Sequence, residues 1–433
     1  MISALLYIIP FLTGLLMSLR HGPVLIFMVY QLDYFLNPQN KWWGQYLPFE
    51  SAQFYLVLTM IIVFLFSIKK YSRNTVFAHS QFLLIFLSIC MFALATFNAP
   101  LQQYHLDSLD AFATIGVVVF LLVKFCSEGK HIHWVVDAYL FSSFMLSFYI
   151  FGWGRNSNGR VEGVGMVDAP DANGVAAALA PTIVIFIAHA LSDKRWLFKF
   201  AYAVGLVFSL NAMILINSRG GFLGVAVGTA YFFGILLTSA KLPTRQKAVI
   251  ILASILLAGG FLRLADTSFL NRMMSIKQES ALTESRETGS TRVFFWMAAW
   301  EMAKDHPFGA GAGGFQYHGG DYIPDNVSTG GSRSRAVHST WFEVLSESGY
   351  AGLIIFVSMI VATFRAFEAT RKALLKRQDL ANSIFLLSLS SSFISFVVAM
   401  TFINRMRAEV LYWLIGLSIC CVNVWMLETK KKT

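Results

Sequence analysis

Charge is scarce in this chain. Of its 433 residues, 13% are Asp, Glu, Lys or Arg and 56% are hydrophobic. With a mean hydropathy of +0.60, a soluble globular fold is excluded. Cysteine is scarce as well. Cys90, Cys126, Cys420 and Cys421 all lie in or at the ends of apolar runs, and two of them are adjacent. That placement offers neither a disulfide framework nor metal-ligand spacing, so the four read as small buried hydrophobes. HExxH, paired-aspartate clusters and His/Cys ligand spacing are missing too, and no metal or cofactor is expected. The first apolar run has no basic segment ahead of it and no small-residue cleavage site behind it, so it reads as a retained helix. No internal repeat or low-complexity tract is visible.

What the chain has in abundance is apolar sequence. Runs close to the length that crosses about 30 Å of hydrocarbon fall at 3–19, 22–36, 51–67, 78–97, 108–126, 133–152, 172–191, 196–216, 221–238, 247–263, 338–364, 382–403 and 409–427. Runs this long and continuous span as helices, because lipid leaves no partner for an unpaired backbone. The expectation is an all-α polytopic membrane protein, 1–433 forming one integral domain with about 12 to 13 transmembrane helices. The first two runs, parted only by Arg20–Pro23, form either a tight hairpin or one kinked element.

The net charge of +10 does not point to nucleic acid. Its cations sit in short loops between apolar runs, where they orient a protein in a membrane. If the polar interval 266–337 lies outside, the short inside loops are almost all basic: Lys69, Lys70 and Arg73; Lys194, Arg195 and Lys199; Lys430, Lys431 and Lys432. The long loop is then periplasmic and the C-terminal tail cytoplasmic.

That loop holds one expected helix, Thr291–Asp305, with Phe295, Trp296, Ala299 and Trp300 along one side and Pro307 ending it. It reads as a short helix lying on the outer membrane surface. The glycine-rich run FGAGAGGF (308–315) follows it. Without a preceding strand or a following Lys-Ser/Thr, this run is a poor nucleotide loop. The chain re-enters the membrane at His338, in HSTWFEVLSESGYAGL. Glu343 and Glu347 come within the first turns, roughly 7 and 13 Å below the histidine at about 1.5 Å per residue. Ionisable groups at that depth mark a functional site unless they face protein for structural reasons.

Three outer-side residues carry the candidate chemistry. Arg219 sits in the tight turn NSRGG (217–221), where the glycines let a ligand approach. The structural alternative is an arginine snorkelling to lipid phosphate. Arg292 opens the loop helix, where the macrodipole opposes a cation but favours a bound anion; alternatively it is a solvated surface charge. His338 can transfer a proton near neutrality. A lone histidine there is otherwise a helix cap, and Glu343, five residues on, is not directly beneath it.

In their order and on one side, NSRGG, STRVFFWMAAW, PFGAGAGGFQY and HSTWFEVLSESGYAGL resemble the O-antigen ligase and polymerase superfamily. FLNPQNKWWGQYLPF and GRVEGVGMVDAPDANGVAAAL look most like its exosortase-associated O-glycosylation ligase branch. The resemblance implies a fold like that of lipid-donor (GT-C-like) glycosyltransferases and a site facing the periplasm from the bacterial inner membrane. It implies transfer of a glycan from undecaprenyl pyrophosphate to lipid A–core, to another glycan or to a protein hydroxyl. Arg219 and Arg292 match the pyrophosphate-binding arginines and His338 the catalytic histidine, with Arg160, Arg286 and Glu343 as secondary contacts. Membrane lipids are the remaining partner. A transporter or flippase is the reading from a different class. It favours charges at the bilayer midplane and inverted repeats, whereas here the ionisable residues gather at the outer ends of spans.

Overall fold

The computed structural model describes residues 2–47, 52–71, 74–156, 161–239, 243–264, 289–325, 327 and 332–427. Among them there are helices and no strands. In chain order these are α1 (Ile2–His21), α2 (Val24–Leu36), α3 (Ala52–Phe66), α4 (Ile68–Tyr71), α5 (Ser80–Leu94), α6 (Gln102–Phe125), α7 (Gly129–Trp153) and α8 (Ala172–Ser192). There follow α9 (Trp196–Ile216), α10 (Arg219–Thr238), α11 (Thr244–Leu264), α12 (Gly289–Asp305), α13 (Gly314–His318), α14 (Thr340–Lys376), α15 (Leu380–Met400) and α16 (Glu409–Val422). The protein is an all-α polytopic membrane protein.

Among the described residues, 10 helices are long and apolar enough to cross a bilayer. The expected 12 to 13 included α2, α3 and α11, which fall outside that set. α2 stops after 13 residues because Asn37 turns left-handed (φ 40°) and hands its N–H back to Asp33. α3 has 15 residues. The first two runs form a hairpin, parted at Gly22 (φ 103°).

The centre of the bundle is α8, whose small residues let neighbours approach. α10 carries Gly221, Gly224 and Gly228 at helical spacing, one face of the helix. A Cβ on Gly221 would stand 2.8 Å from the Ala176 Cβ, and one on Gly224 would stand 2.4 Å from the Ser395 carbonyl oxygen. This is the small-residue packing that replaces the hydrophobic effect between helices in lipid. Serines supply the polar complement: the Ser392 hydroxyl on α15 donates to the Pro181 carbonyl on α8 at 2.8 Å. The packing fixes the start of α10, and hence Arg219, against α8 and α15.

One end of the bundle is tied together by its turns. Lys41 Nζ donates to the Gly165 carbonyl (2.9 Å), Val167 N–H to the Tyr34 carbonyl (3.4 Å) and Ala312 N–H to His105 Nδ1 (2.9 Å). Arg155 Nη2 donates to the Ile214 carbonyl at 2.6 Å, capping the C-terminal end of α9 with a cation. The opposite end has its own set: Lys124 Nζ donates to the Asn74 carbonyl (2.7 Å) and Arg377 Nη1 to that of Trp425 (2.7 Å).

α12 begins at Gly289, two residues before the expected start at Thr291. Its buried stripe is Phe295, Ala298, Ala299 and Met302, packed on Ala310, Phe315, Ile323 and Val337. Trp300, expected on the same face, is exposed and meets the Tyr350 ring edge-on at 6.0 Å. The helix thus seats its apolar stripe on protein.

The glycine run clamps a break in α14. Gly349 leaves the helix (φ 69°, ψ −170°), which frees the Ser346 and Glu347 carbonyls from their usual partners four residues on. Those carbonyls accept from the N–H groups of Ala310 (2.8 Å) and Gly311 (3.1 Å), while the freed Tyr350 N–H donates to the Pro307 carbonyl (3.1 Å). No side chain fits at the contact, since a Cβ on Gly309 would stand 2.3 Å from the Glu347 carbonyl oxygen.

Candidate functional site

The site is organised by a turn the sequence reading passed over, TFINRMRA (401–408), between α15 and α16. The turn is held from both sides. Trp341 Nε1 donates to Thr401 Oγ1 (3.0 Å), and Thr340 Oγ1 donates to the Ile403 carbonyl (2.8 Å) while accepting from Arg405 N–H (2.9 Å). Met406 N–H donates to Glu343 Oε2 at 2.9 Å.

One side of this turn meets the sequence-chosen residues. Arg292 Nη1 donates to the Phe402 carbonyl at 3.1 Å. Gly220, next to Arg219, packs on the same residue: an added Cβ would stand 3.1 Å from Phe402 Cβ. Ser218 caps α10, its hydroxyl accepting from Gly221 N–H at 3.5 Å. His338 immediately precedes Ser339, the N-cap of α14, and has φ 53°. A non-glycine residue in the left-handed region is uncommon, and such strain gathers at working sites. The flanking Val337 carbonyl accepts from Trp296 Nε1 at 3.2 Å. The Trp296 ring stacks on Phe342 at 5.7 Å and lies 6.5 Å from that of Phe402. Arg219, Arg292 and His338, all half-buried, therefore belong to three segments that meet around Phe402 and Trp296.

The other side of the turn faces a cleft of about 1140 Å³ between α3 and α6. Apolar walls come from Phe54, Val57, Leu58 and Ile61 on α3 and from Ala111, Ile115 and Val117 on α6. Its polar lining includes Asp168, Glu343, Glu347, Arg405, Arg407 and Glu409. Arg405 Nη2 pairs with Asp168 Oδ1 at 2.7 Å, and Arg407 pairs with Glu347. Tyr34 Oη donates to Asp168 Oδ1 (2.6 Å), Glu409 N–H to Asp168 Oδ2 (2.8 Å) and Tyr30 Oη to Glu409 Oε2 (2.7 Å). Burial alone lowers the pKa of both guanidiniums. The carboxylates of Asp168 and Glu347 outweigh it and hold both groups above the usual arginine range.

Glu343, expected as a secondary contact and not directly beneath His338, accepts from Met406 N–H and lines the cleft. Glu347 accepts from Gly313 N–H at 3.2 Å as well as pairing with Arg407. Arg160 and Arg286 lie outside the described residues. Arg405 and Arg407 are the residues that sequence reasoning missed. Their signal was available: two arginines in a short loop on the side the sequence reading assigns outside, where orientation disfavours cations, directly before a helix opening with Glu409. Among the described residues, no three His, Cys, Asp or Glu side chains come together as a metal site would require.

Residues 204–357 match the family model described as O-antigen ligase. That span contains Arg219, Arg292, His338, Glu343 and Glu347, and stops short of the 401–408 turn. No curated protein matches the chain.

Proposed function

We propose that this chain, whose residues 204–357 match the O-antigen ligase family model, moves a glycan from undecaprenyl pyrophosphate to an acceptor hydroxyl at the periplasmic face of a bacterial inner membrane. The observation that carries the reading is the meeting of the Arg219, Arg292 and His338 segments around Phe402. Arg219 and Arg292 bind the pyrophosphate. The N-terminal turn of α10 adds backbone N–H groups and the positive end of its dipole. His338 takes the proton of the acceptor hydroxyl as its oxygen attacks the anomeric carbon. The new C–O bond forms as the bond to the phosphate oxygen breaks, and undecaprenyl pyrophosphate leaves with its charge stabilised by the arginines. In-line attack inverts the anomeric configuration. Guanidinium groups supply the charge stabilisation that a metal otherwise provides, so activity is expected to survive EDTA.

Lipid A–core is the first acceptor to test, with a free glycan or a protein hydroxyl as the other two. The experiment incubates purified protein with an undecaprenyl-pyrophosphate-linked glycan and each acceptor, and follows which product gains sugar. The reading predicts loss of glycan from the carrier lipid with matching gain on one acceptor. Glycan that stays on its carrier, while the protein moves that carrier between leaflets, supports the transporter instead.

A further inference from the structure

We infer that the cleft between α3 and α6 is the acceptor's entrance, and that it admits an uncharged, hydroxyl-rich headgroup on an apolar anchor while rejecting phosphorylated ones. This deepens the reading above, since only that reading makes the occupant an acceptor, and it reorders the acceptors named there: an uncharged lipid-anchored glycan moves ahead of lipid A–core, whose headgroup is phosphorylated. The occupancy itself stands on the cleft's own chemistry.

The lining carries seven carboxylates against two guanidiniums, from the exposed Asp107 and Asp110 to the buried Glu343 and Glu409. Both guanidiniums are already paired, Arg405 with Asp168 and Arg407 with Glu347. Leaving aside Glu343, Glu409 and the two paired carboxylates, Asp107, Asp110 and Asp171 still add three negative charges that no cation of the lining offsets. A pyrophosphate therefore finds no spare cation here and meets excess negative charge, across distances that salt barely screens in a partly enclosed site. Asp107 and Asp110 fall five and eight residues into α6, roughly 7 and 12 Å below its start. Exposed carboxylates at that depth are tolerated where they face a wet cavity, not lipid.

A second observation specifies the ligand. Arg405 is 5% exposed, yet its Nε has no hydrogen-bond partner; Asn404 Oδ1 and Gln53 Nε2, also buried and also lining the cleft, have none. Two donors and one acceptor suit hydroxyl groups, which give and take hydrogen bonds, whereas an ionised phosphate only accepts and leaves Asn404 Oδ1 unsatisfied. The walls of Phe54, Leu58 and Ile61 suit an alkyl anchor.

The test uses the full chain in phosphatidylcholine nanodiscs and three photoreactive probes: an alkyl glucoside, its 6-phosphate and a polyprenyl diphosphate. Cross-links are mapped by mass spectrometry. The glucoside should label α3 and α6 along the cleft, at least about tenfold more than its phosphate, a ratio equivalent to about 1.4 kcal/mol. Ala111→Trp, at an exposed wall position, should abolish that labelling. Asp107→Lys with Asp110→Lys should close most of the gap between the two sugars. Equal labelling by the phosphate, labelling unaffected by the plug, or preferential labelling by the polyprenyl diphosphate each overturns the inference; the last makes the cleft the donor's. A peptide bearing serine that displaces the glucoside, where free sugar does not, overturns the lipid-anchored sugar in favour of a protein acceptor. These readouts need no turnover. Failure of the transfer assay alone therefore removes the proposed reaction and leaves the cleft's selectivity standing.

Discussion

Arg405 grips Asp168 twice, Nη2 on the carboxylate at 2.7 Å and Nη1 on the same residue's carbonyl at 2.7 Å. Asp168 also accepts from Tyr34 Oη and Glu409 N–H, so one carboxylate ties α2, the 161–171 turn and the start of α16 together. The Arg405 side chain is 4% exposed and that of Asp168 19%, too buried for solvent to screen the loss of a partner. Arg405→Ala is expected to destabilise the fold by about 3–5 kcal/mol, mainly because Asp168 is left uncompensated. Scanning fluorimetry on Arg405→Ala, Asp168→Ala and the double variant measures it. The double variant should be clearly more stable than the sum of the two losses. Simple additivity would mean the pair is not coupled.

Gly349 should tolerate no side chain. Its φ of 69° is left-handed, and a Cβ there would stand 2.1 Å from the Pro307 carbonyl oxygen. Gly349→Ala adds about 1–3 kcal/mol of backbone strain to that clash and should lower both the yield of monodisperse protein and its melting temperature. Gly234→Ala is the control, because an added Cβ meets nothing within 4 Å. Inside a helix the alanine should stabilise by about 0.5–1 kcal/mol. Equal behaviour of the two variants contradicts the clamped break in α14.

Lys41 gives a pH dependence of definite sign. Burial lowers its amine from 10.5 to about 8, with Nζ held on the Gly165 carbonyl. Between those values the unfolded chain keeps a proton that the folded chain has released. Stability should therefore rise with pH from about 8 to 10.5. Lys41→Met removes that rise and leaves the rest of the profile. Melting temperatures of both proteins from pH 7 to 11 check it, and a Lys41→Met curve that keeps the same slope assigns the rise elsewhere.

The helical scaffold was legible because lipid enforces it: apolar runs of bilayer length have few other fates. His338, Arg219 and Arg292 stood out as candidates for separate reasons: a histidine opening a membrane helix, an arginine beside two glycines in a tight turn, and an arginine at the start of the loop helix. Arg405 and Arg407 were harder to see because their partners lie far along the chain, Asp168 at a separation of 237 residues and Glu347 at 60. Periodicity does not report such pairs. The glycine run was recognised as unsuited to phosphate, but its role depends on the break at Gly349. That break appears in the sequence as one glycine between serine and tyrosine, with nothing to mark its φ.

The last prediction separates binding from chemistry around Phe402. Pyrophosphate needs permanent cations, so Arg219→Ala and Arg292→Ala should weaken donor binding. Lysine should rescue poorly, since an ammonium lacks the bidentate fork. Arg292 also donates to the Phe402 carbonyl, so its alanine variant loses some stability as well, and donor affinity must be read beside the melting temperature. For His338 alanine is a poor probe, because the residue sits at φ 53°. Asparagine tolerates that conformation but cannot act as a base. His338→Asn should bind donor nearly as the parent does and lose about 10²–10⁴-fold in single-turnover transfer, the range of general-base assistance. A purely structural histidine predicts the opposite pattern: a lower melting temperature with turnover of the surviving folded protein almost unchanged. Donor affinity, melting temperature and single-turnover rate on the same preparations decide between them. If His338→Asn transfers glycan near the parent rate, the base must be sought elsewhere, and Glu343 at the neighbouring cleft becomes the next residue to replace.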